Sequence, residues 1–302
     1  MINLFYQILV YLSRKWGIWV LYTAVWIVAA GFFLFFPKRV AISTRFYRAA
    51  FPHRPAWYPL WCAWQQFHNF TAIYIDRYFL EHIGDIRYTT QGFHHIEKAV
   101  KNRTGGILLM SHLGNWEVAA HLLKQKGIPL MLFMGKKDGE QIEGMQKSNL
   151  QKNGVEVMAS QSGQGSPMDI LEGIRFLRKG WILSIAGDRL GNTGRSCVKA
   201  GFFRHSVTLP ETPYALSLAT GVPIYIFFAL RMGSGKYHFI IDPPIYLHGD
   251  SRQARRECVR QTAQHYANRL EQMVCHYPFE WHHFEPFLGP KQAPETPSSR
   301  GA

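Results

Sequence analysis

From residue 105 onward, short apolar runs alternate with longer mixed stretches. The runs fall at 107–110, 128–133, 155–158, 181–185, 222–230 and 237–241. They are almost wholly apolar, with Glu156, Ser184 and His238 as the polar interruptions, which suits buried strands. Between several of them, at 116–126, 141–152, 168–178 and 212–220, the sequence reads as helix. Gly127, Gly154, Gly180 and Gly221 stand where those helices would stop. This alternation predicts an α/β fold with a mostly parallel central sheet covered by helices. A long helix, basic at its start, is expected over 252–275, and "GSGK" (Gly233 to Lys236) reads as a hairpin turn. It lacks the earlier glycine of a phosphate-binding loop. There is no internal sequence repeat.

The N-terminal part has a different pattern. "WGIWVLYTAVWIVAAGFFLFF", Trp16 to Phe36, carries no charge and is followed by Pro37. At ~1.5 Å per residue, about 21 residues would cover roughly the 30 Å hydrocarbon core of a bilayer. Tryptophan and tyrosine suit its interfaces. Apolar residues continue past the small-residue stretch Val28-Ala29-Ala30, so an uncleaved anchor fits better than a signal peptide. A helix lying in one leaflet fits the same composition. Residues 40–80 look helical and aromatic, and "RFYRAAF" there suits either a membrane-hugging element or an ordinary surface helix. The organisation expected is an anchor over 1–39 with its helix at about 16–36, a catalytic domain over 40–289, and a disordered tail over 290–302. That tail, from "PKQAPETPSSRGA", is polar and proline-rich.

Composition narrows the partners. A formal charge of +14 favours an anionic one: nucleic acid, an anionic membrane face or an acidic carrier protein. Lys38, Arg39, Arg45, Arg48 and Arg54 follow the apolar segment and Arg14 and Lys15 precede it, which favours a cytoplasmic catalytic domain. Cys62, Cys197, Cys258 and Cys275 are far apart and form no CxxC, which argues against a zinc site or a disulfide scaffold. His94-His95 and His282-His283 lack HExxH or another metal-ligand spacing, so no metal site is assigned.

The candidate chemistry lies in "GGILLMSHLGNWEVAAHLLKQKG", Gly105 to Gly127. His112 stands at the end of a buried strand, where open α/β sheets keep their ligands. Asn115 is a good N-cap, which puts Glu117 in the first helical turn, favoured there by the helix dipole. Folding back of Leu113-Gly114 would bring Glu117 to an imidazole nitrogen and make His112 a positioned general base. A plainer alternative is a capping histidine and a glutamate on dipole duty. Ser111 is adjacent, but its context is not GxSxG, so the proton removed would be that of a substrate hydroxyl.

"HLGNWE" matches an H-x4-D/E motif. It resembles the glycerolipid and lysophospholipid acyltransferase superfamily, and most nearly its branch of bacterial lipid A late acyltransferases. Three further stretches resemble that branch in order: "IAGDRLGNTGRSC", "FFRHSVTLPETPYALSLATGVPIYIFF" and "YPFEWHHFEPF". Together they cover about residues 105–287. Two departures stand out. The branch carries an arginine after its second strand, where "MGKKDGEQIEGMQKSNL" has Lys136, Lys137 and Lys147 instead, and Arg189 beside Asp188 is unlike the lipid A enzymes.

The resemblance implies a glycerol-3-phosphate acyltransferase-like fold and transfer of an acyl group from a thioester to a lipid-borne hydroxyl. His112 would be the base and Glu117 its orienting acid, with the backbone N–H groups near Gly114 and Asn115 on the oxyanion. Asn115, Lys147, Asp188 and Arg189 are the expected substrate-binding residues, although Asp188 and Arg189 also suit a local salt bridge. Acyl carrier protein or coenzyme A would supply the acyl group as donor substrate, with no resident cofactor. The acceptor would be a lipid or glycolipid in the bacterial inner membrane, and no nucleic acid is expected. Arg252, Arg255, Arg256 and Arg260 fall on one helix face and form a candidate carrier dock or a solvated basic face. The rival readings are an acyl thioesterase and a non-enzymatic scaffold for anionic lipid.

Overall fold

In a computed structural model, which describes residues 2–80, 86–135, 150, 155–160, 167–190 and 196–292, the apolar runs form one seven-stranded sheet. Its strands are β1 (Arg87–Gln91), β2 (Gly106–Met110), β3 (Leu130–Gly135), β4 (Glu156–Ser160), β5 (Ile182–Ala186), β8 (Ile224–Gly233) and β9 (Lys236–Ile241). Their spatial order is β1-β9-β8-β2-β5-β3-β4. Every neighbouring pair is parallel except β8 and β9, which join as an antiparallel hairpin through the predicted turn. A separate antiparallel hairpin, β6 (Cys197–Phe202) with β7 (His205–Pro210), was not foreseen, nor was the edge strand β1. Both carry mixed polar and apolar residues, so no continuous apolar run marks them.

The sheet is buried on both faces, and the two-residue period of a strand divides its side chains between two cores. Ile107, Leu109, Leu183, Ile185, Ile224, Ile226 and Phe228 face one side. Leu108, Ile182, Tyr225 and Phe227 face the other. The first core is covered by α7 (Pro167–Arg178), α8 (Thr212–Thr220) and α9 (Arg252–His276), and the second by α5 (His94–Lys101) and α6 (Trp116–Gln125). Gly221 closes α8 in the left-handed conformation at φ 74°, its N–H donating to the Ser217 carbonyl. The helix expected over 141–152, and Gly154, fall almost wholly outside the described residues.

The uncharged N-terminal segment is not one long helix. Helix α1 (Ile2–Trp16) ends at Gly17, which has φ 102°. Helix α2 (Trp19–Phe35) has 17 residues, about 25 Å at 1.5 Å per residue. It then bends by 92° into α3 (Pro37–Ala50), where Phe36 and Pro37 break the run. No single described helix is long and apolar enough to cross a membrane. One face of α2, Leu21, Val25 and Ala29, is buried, and Leu21 and Val25 pack with Tyr6 and Val10 of α1 and with Ala72, Ile75 and Tyr78 of α4 (Tyr58–Tyr78). Its other face leaves Trp19, Tyr22, Trp26, Ile27, Leu34 and Phe35 exposed. Helix α4 thus joins the N-terminal arm to the sheet domain: Gln66 Nε2 donates to the Trp281 carbonyl at 2.5 Å, and its C-terminal turn carries Asp76 and Arg77 to the site.

Candidate active site

Parallel pairing sets Met110 of β2 opposite Ala186 of β5. Both strands therefore deliver their following residues to the same edge of the sheet, where open α/β folds hold ligands. His112 and Asp188 meet there. Asp188 Oδ1 lies 2.8 Å from His112 Nδ1, and Oδ2 accepts the His112 backbone N–H at 2.8 Å and the Trp281 indole N–H at 2.9 Å. Burial pushes the Asp188 carboxyl up, but the imidazole beside it, its hydrogen bond, His283 and the indole outweigh burial and hold it well below the usual carboxylate range. An ionised carboxylate only accepts, so Nδ1 carries a proton, and in the neutral imidazole the lone pair is then on Nε2. The imidazole side chain is 21 % exposed, whereas that of Asp188 is fully buried. The imidazole can be reached while its carboxylate partner is kept dry.

This corrects the expected partnership. The acid bonded to His112 is Asp188, and Glu117 is held elsewhere. Asn115 caps α6 as predicted, its Oδ1 accepting the N–H groups of Glu117 (3.1 Å) and Val118 (3.3 Å). The first turn then points the Glu117 carboxylate at α4, where it takes a forked bond from Arg77: Nη2 to Oε2 at 2.7 Å and to Oε1 at 3.0 Å, Nε to Oε1 at 3.2 Å. Both side chains are buried, at 4 % and 9 % exposure. The Arg77 guanidinium also lies over the rings of Tyr74 (5.4 Å) and Tyr6 of α1 (5.9 Å).

Asn115 also has a structural occupation. Its Nδ2 donates to Tyr237 Oη at 3.1 Å, and that hydroxyl donates to Asp76 at 2.6 Å. Asp76 further accepts from Arg231 Nε at 2.5 Å and the Gly235 N–H at 3.0 Å. The buried network ties the cap of α6 to α4 and to the β8–β9 hairpin.

The backbone N–H groups expected to meet an oxyanion are already committed, which is a second correction. Gly114 N–H donates to the Glu280 carbonyl at 2.7 Å and Asn115 N–H to the Ala229 carbonyl at 3.0 Å. Leu113 N–H goes to Ser111 Oγ at 3.3 Å, so Ser111 is a turn residue. Gly114 has φ 85°, and a Cβ there would lie 1.8 Å from the Ala229 carbonyl oxygen, so the loop can seat only glycine against β8.

A C-terminal strap closes over this loop. Leu113 bridges Trp281, and the His282 N–H donates to the His112 carbonyl at 2.8 Å. His283 stacks on the Trp281 ring (5.0 Å, 25°) and presents its edge to His112 (6.2 Å, 89°). Burial is the largest cause lowering the pKa of His282 to about 3 and of His283 to about 4, so both are neutral. Arg189 completes the edge: its Nη1 is 3.5 Å from His112 Nε2 and its Nη2 donates to Glu285 Oε1 at 3.2 Å.

Of the sequence-predicted residues, His112, Asp188 and Arg189 come together, Asn115 and Glu117 lie behind them as supports, and Lys147 is outside the described residues. Arg77, Asp76, Tyr237, Trp281, His283 and Glu285 were missed. Trp281, His283 and Glu285 lie in the quoted "YPFEWHHFEPF" stretch, whereas nothing local marks Asp76 and Arg77 within an aromatic helix.

A family model for bacterial lipid A biosynthesis acyltransferases matches residues 6–288. The chain belongs to that family. Its similarity to curated relatives is more distant. It is 24% identical over 196 residues to a phosphatidylinositol mannoside acyltransferase of Mycobacterium tuberculosis (strain H37Rv), which covers 65% of this chain and 58% of that one. It is 23% identical over 192 residues to the protein of that description from Mycolicibacterium smegmatis, covering 64% and 59%. The match thus spans less than two thirds of the length of these relatives. The family match takes in α1 to α4 together with the strap, the parts that hold Glu117 and the His112 loop in place.

Proposed function

We propose that this protein transfers a fatty acyl group from a thioester donor to a hydroxyl of a lipid or glycolipid acceptor at a membrane surface. The observation that carries the reading is the His112–Asp188 pair, with Nδ1 locked on a buried carboxylate and the imidazole part-exposed. The family match and the glycolipid named in the relatives' descriptions support the class of acceptor. His112 Nε2 takes the acceptor's hydroxyl proton as the oxygen attacks the thioester carbonyl. Asp188 stabilises the imidazolium, which then returns the proton to the leaving thiolate. Base catalysis of this kind supplies typically 10²–10⁴-fold in rate. With Ser111 Oγ used inside its own turn, the attack is direct and needs no acyl-enzyme. Glu117, through Arg77, is a positioning residue.

The exposed aromatic face of α2 supports a membrane location. Trp16, Trp19, Trp26, Phe35 and Phe36 lie beside Arg14, Lys15, Lys38 and Arg39, a combination suited to the headgroup boundary of an anionic membrane. In this reading the arm lies in the cytoplasmic leaflet of a bacterial inner membrane, bringing the cleft to the level of an acceptor's hydroxyl. The donor is acyl carrier protein or coenzyme A, and the exposed Arg252, Arg255 and Arg256 at the start of α9 suit the anionic part of either.

The test is purified protein with radiolabelled palmitoyl thioesters of both carriers and detergent-dispersed bacterial lipid extract, followed by thin-layer chromatography. Lipid-dependent loss of thioester, with label recovered in lipid, is expected. Label released only as free fatty acid, at one rate with or without lipid, makes the protein a thioesterase. Undiminished function in His112→Ala makes it a non-enzymatic scaffold.

A further inference from the structure

As the acceptor oxygen bonds to the thioester carbon, the carbonyl π pair moves onto oxygen and leaves a negative charge there. Acyl transfer is slow unless a preorganised donor meets that charge. Backbone donors usually serve, but here the N–H groups of residues 112 to 115 are bonded to Asp188, Ser111, Glu280 and Ala229. Further along, the N–H groups of Glu117 and Val118 in the first turn of α6 are taken by the Asn115 cap. The N–H groups of residues 112 to 115 are thus used in holding the loop in place.

We propose that the Arg189 guanidinium holds the oxyanion, an inference that rests on the acyl-transfer reading and names a group that reading lacks. Arg189 follows Asp188 directly, so the residue that fixes the base also fixes where the guanidinium starts. Its Nη1 stands 3.5 Å from His112 Nε2, on the face from which the proton is taken. Glu285 in the strap holds Nη2 at 3.2 Å and keeps the planar group from swinging away. An attacking oxygen seated on Nε2 brings the thioester carbonyl beside the same guanidinium. The geometry also favours the transition state over the ground state. The negative charge exists only once the carbonyl has been attacked, so a contact with it forms in the transition state and not before. When the intermediate collapses, the carbonyl re-forms, the carbon–sulfur bond breaks, and the thiolate takes the proton from Nε2.

The experiment compares wild type with Arg189→Met and Arg189→Lys, using radiolabelled palmitoyl-coenzyme A with and without bacterial lipid extract. Transfer and lipid-independent hydrolysis are both recorded, because they pass through the same oxyanion. Arg189→Met is expected to lower kcat about 10²–10³-fold in both, the size of loss seen when one oxyanion donor is removed. KM for the thioester should change less than about threefold, since the contact forms only in the transition state. Arg189→Lys should retain part of the rate, and added guanidinium should restore part of it to Arg189→Ala. Thermal melting confirms that each variant is folded. A kcat for folded Arg189→Met within about threefold of wild type, or a loss carried by KM alone, overturns the inference. The ratio of transfer to hydrolysis in wild type separately tests the acyl-transfer reading, and either reaction suffices to read the Arg189 effect.

Discussion

At the scale of single residues, the site keeps one histidine usable and two others neutral. His112 is held by a carboxylate at Nδ1 and is part-exposed, while His282 and His283 are buried in the strap. Neither ring nitrogen of His282 has a hydrogen-bond partner among the described residues, and the ring packs on Phe70 at 5.5 Å. With pKa values lowered to about 3 and about 4, against about 6.5 in an unfolded chain, these two histidines bind fewer protons folded than unfolded. Their contribution to stability is complete above about pH 6.5 and is lost as pH falls toward 4. Glu280 acts in the opposite sense. Burial is the main cause raising it to about 7, so its contribution is present below the usual glutamate value of about 4.3 and is lost as pH rises through 7. The melting temperature should therefore fall on acidification from pH 6.5 to 5, and His282→Phe should flatten that limb while leaving the alkaline one. Equal slopes in the two proteins would refute this assignment.

At the scale of elements, α4 is the link between the N-terminal arm and the catalytic loop. Arg77 and Glu117 form a buried forked pair across α4 and α6. Removing one partner strands a buried charge and costs about 3–5 kcal/mol, whereas replacing both with apolar residues is often nearly neutral. Arg77→Met and Glu117→Met should each lower stability strongly in denaturant titration, and the double variant should recover most of it. Additive losses would mean that the two do not act as a pair. The elements themselves were largely legible in the sequence: the buried strands of the sheet's centre, the described helices over 116–125, 167–178 and 212–220, the Asn115 cap and the Gly233–Lys236 turn all stem from local pattern. What joins them was not. The pairing of Asp188 with His112 depends on β2 lying beside β5 in register, and that of Glu117 with Arg77 on where α4 packs. Neither leaves a trace in spacing along the chain. A carboxylate five residues from a histidine looked like its partner because local distance was the only distance available.

At the scale of the whole molecule, the apolar N-terminal segment was correctly read as unusual but not as bent. Composition and length suggest a span; the break at Phe36–Pro37 and the packing of Leu21 and Val25 with α4 are tertiary facts. An arm lying at the interface predicts that Trp19→Ser, Trp26→Ser and Phe35→Ser together reduce co-sedimentation with phosphatidylglycerol vesicles by about tenfold or more while the protein stays folded. Unchanged binding would move the membrane contact elsewhere. The central claim is that a base from one strand end and a carboxylate from the next carry out acyl transfer, with Glu117 behind them. It is tested most directly by the kcat of lipid acylation in Asp188→Asn and Glu117→Gln, each referred to its folded fraction. Asparagine can hold the imidazole in the wrong tautomer, and loss of such a carboxylate has cost about 10⁴-fold in a comparable histidine pair. The account predicts a fall of about 10³–10⁴-fold for Asp188→Asn, with folded Glu117→Gln remaining within about tenfold of wild type. The reverse order, with Asp188→Asn active and folded Glu117→Gln inert, would contradict it.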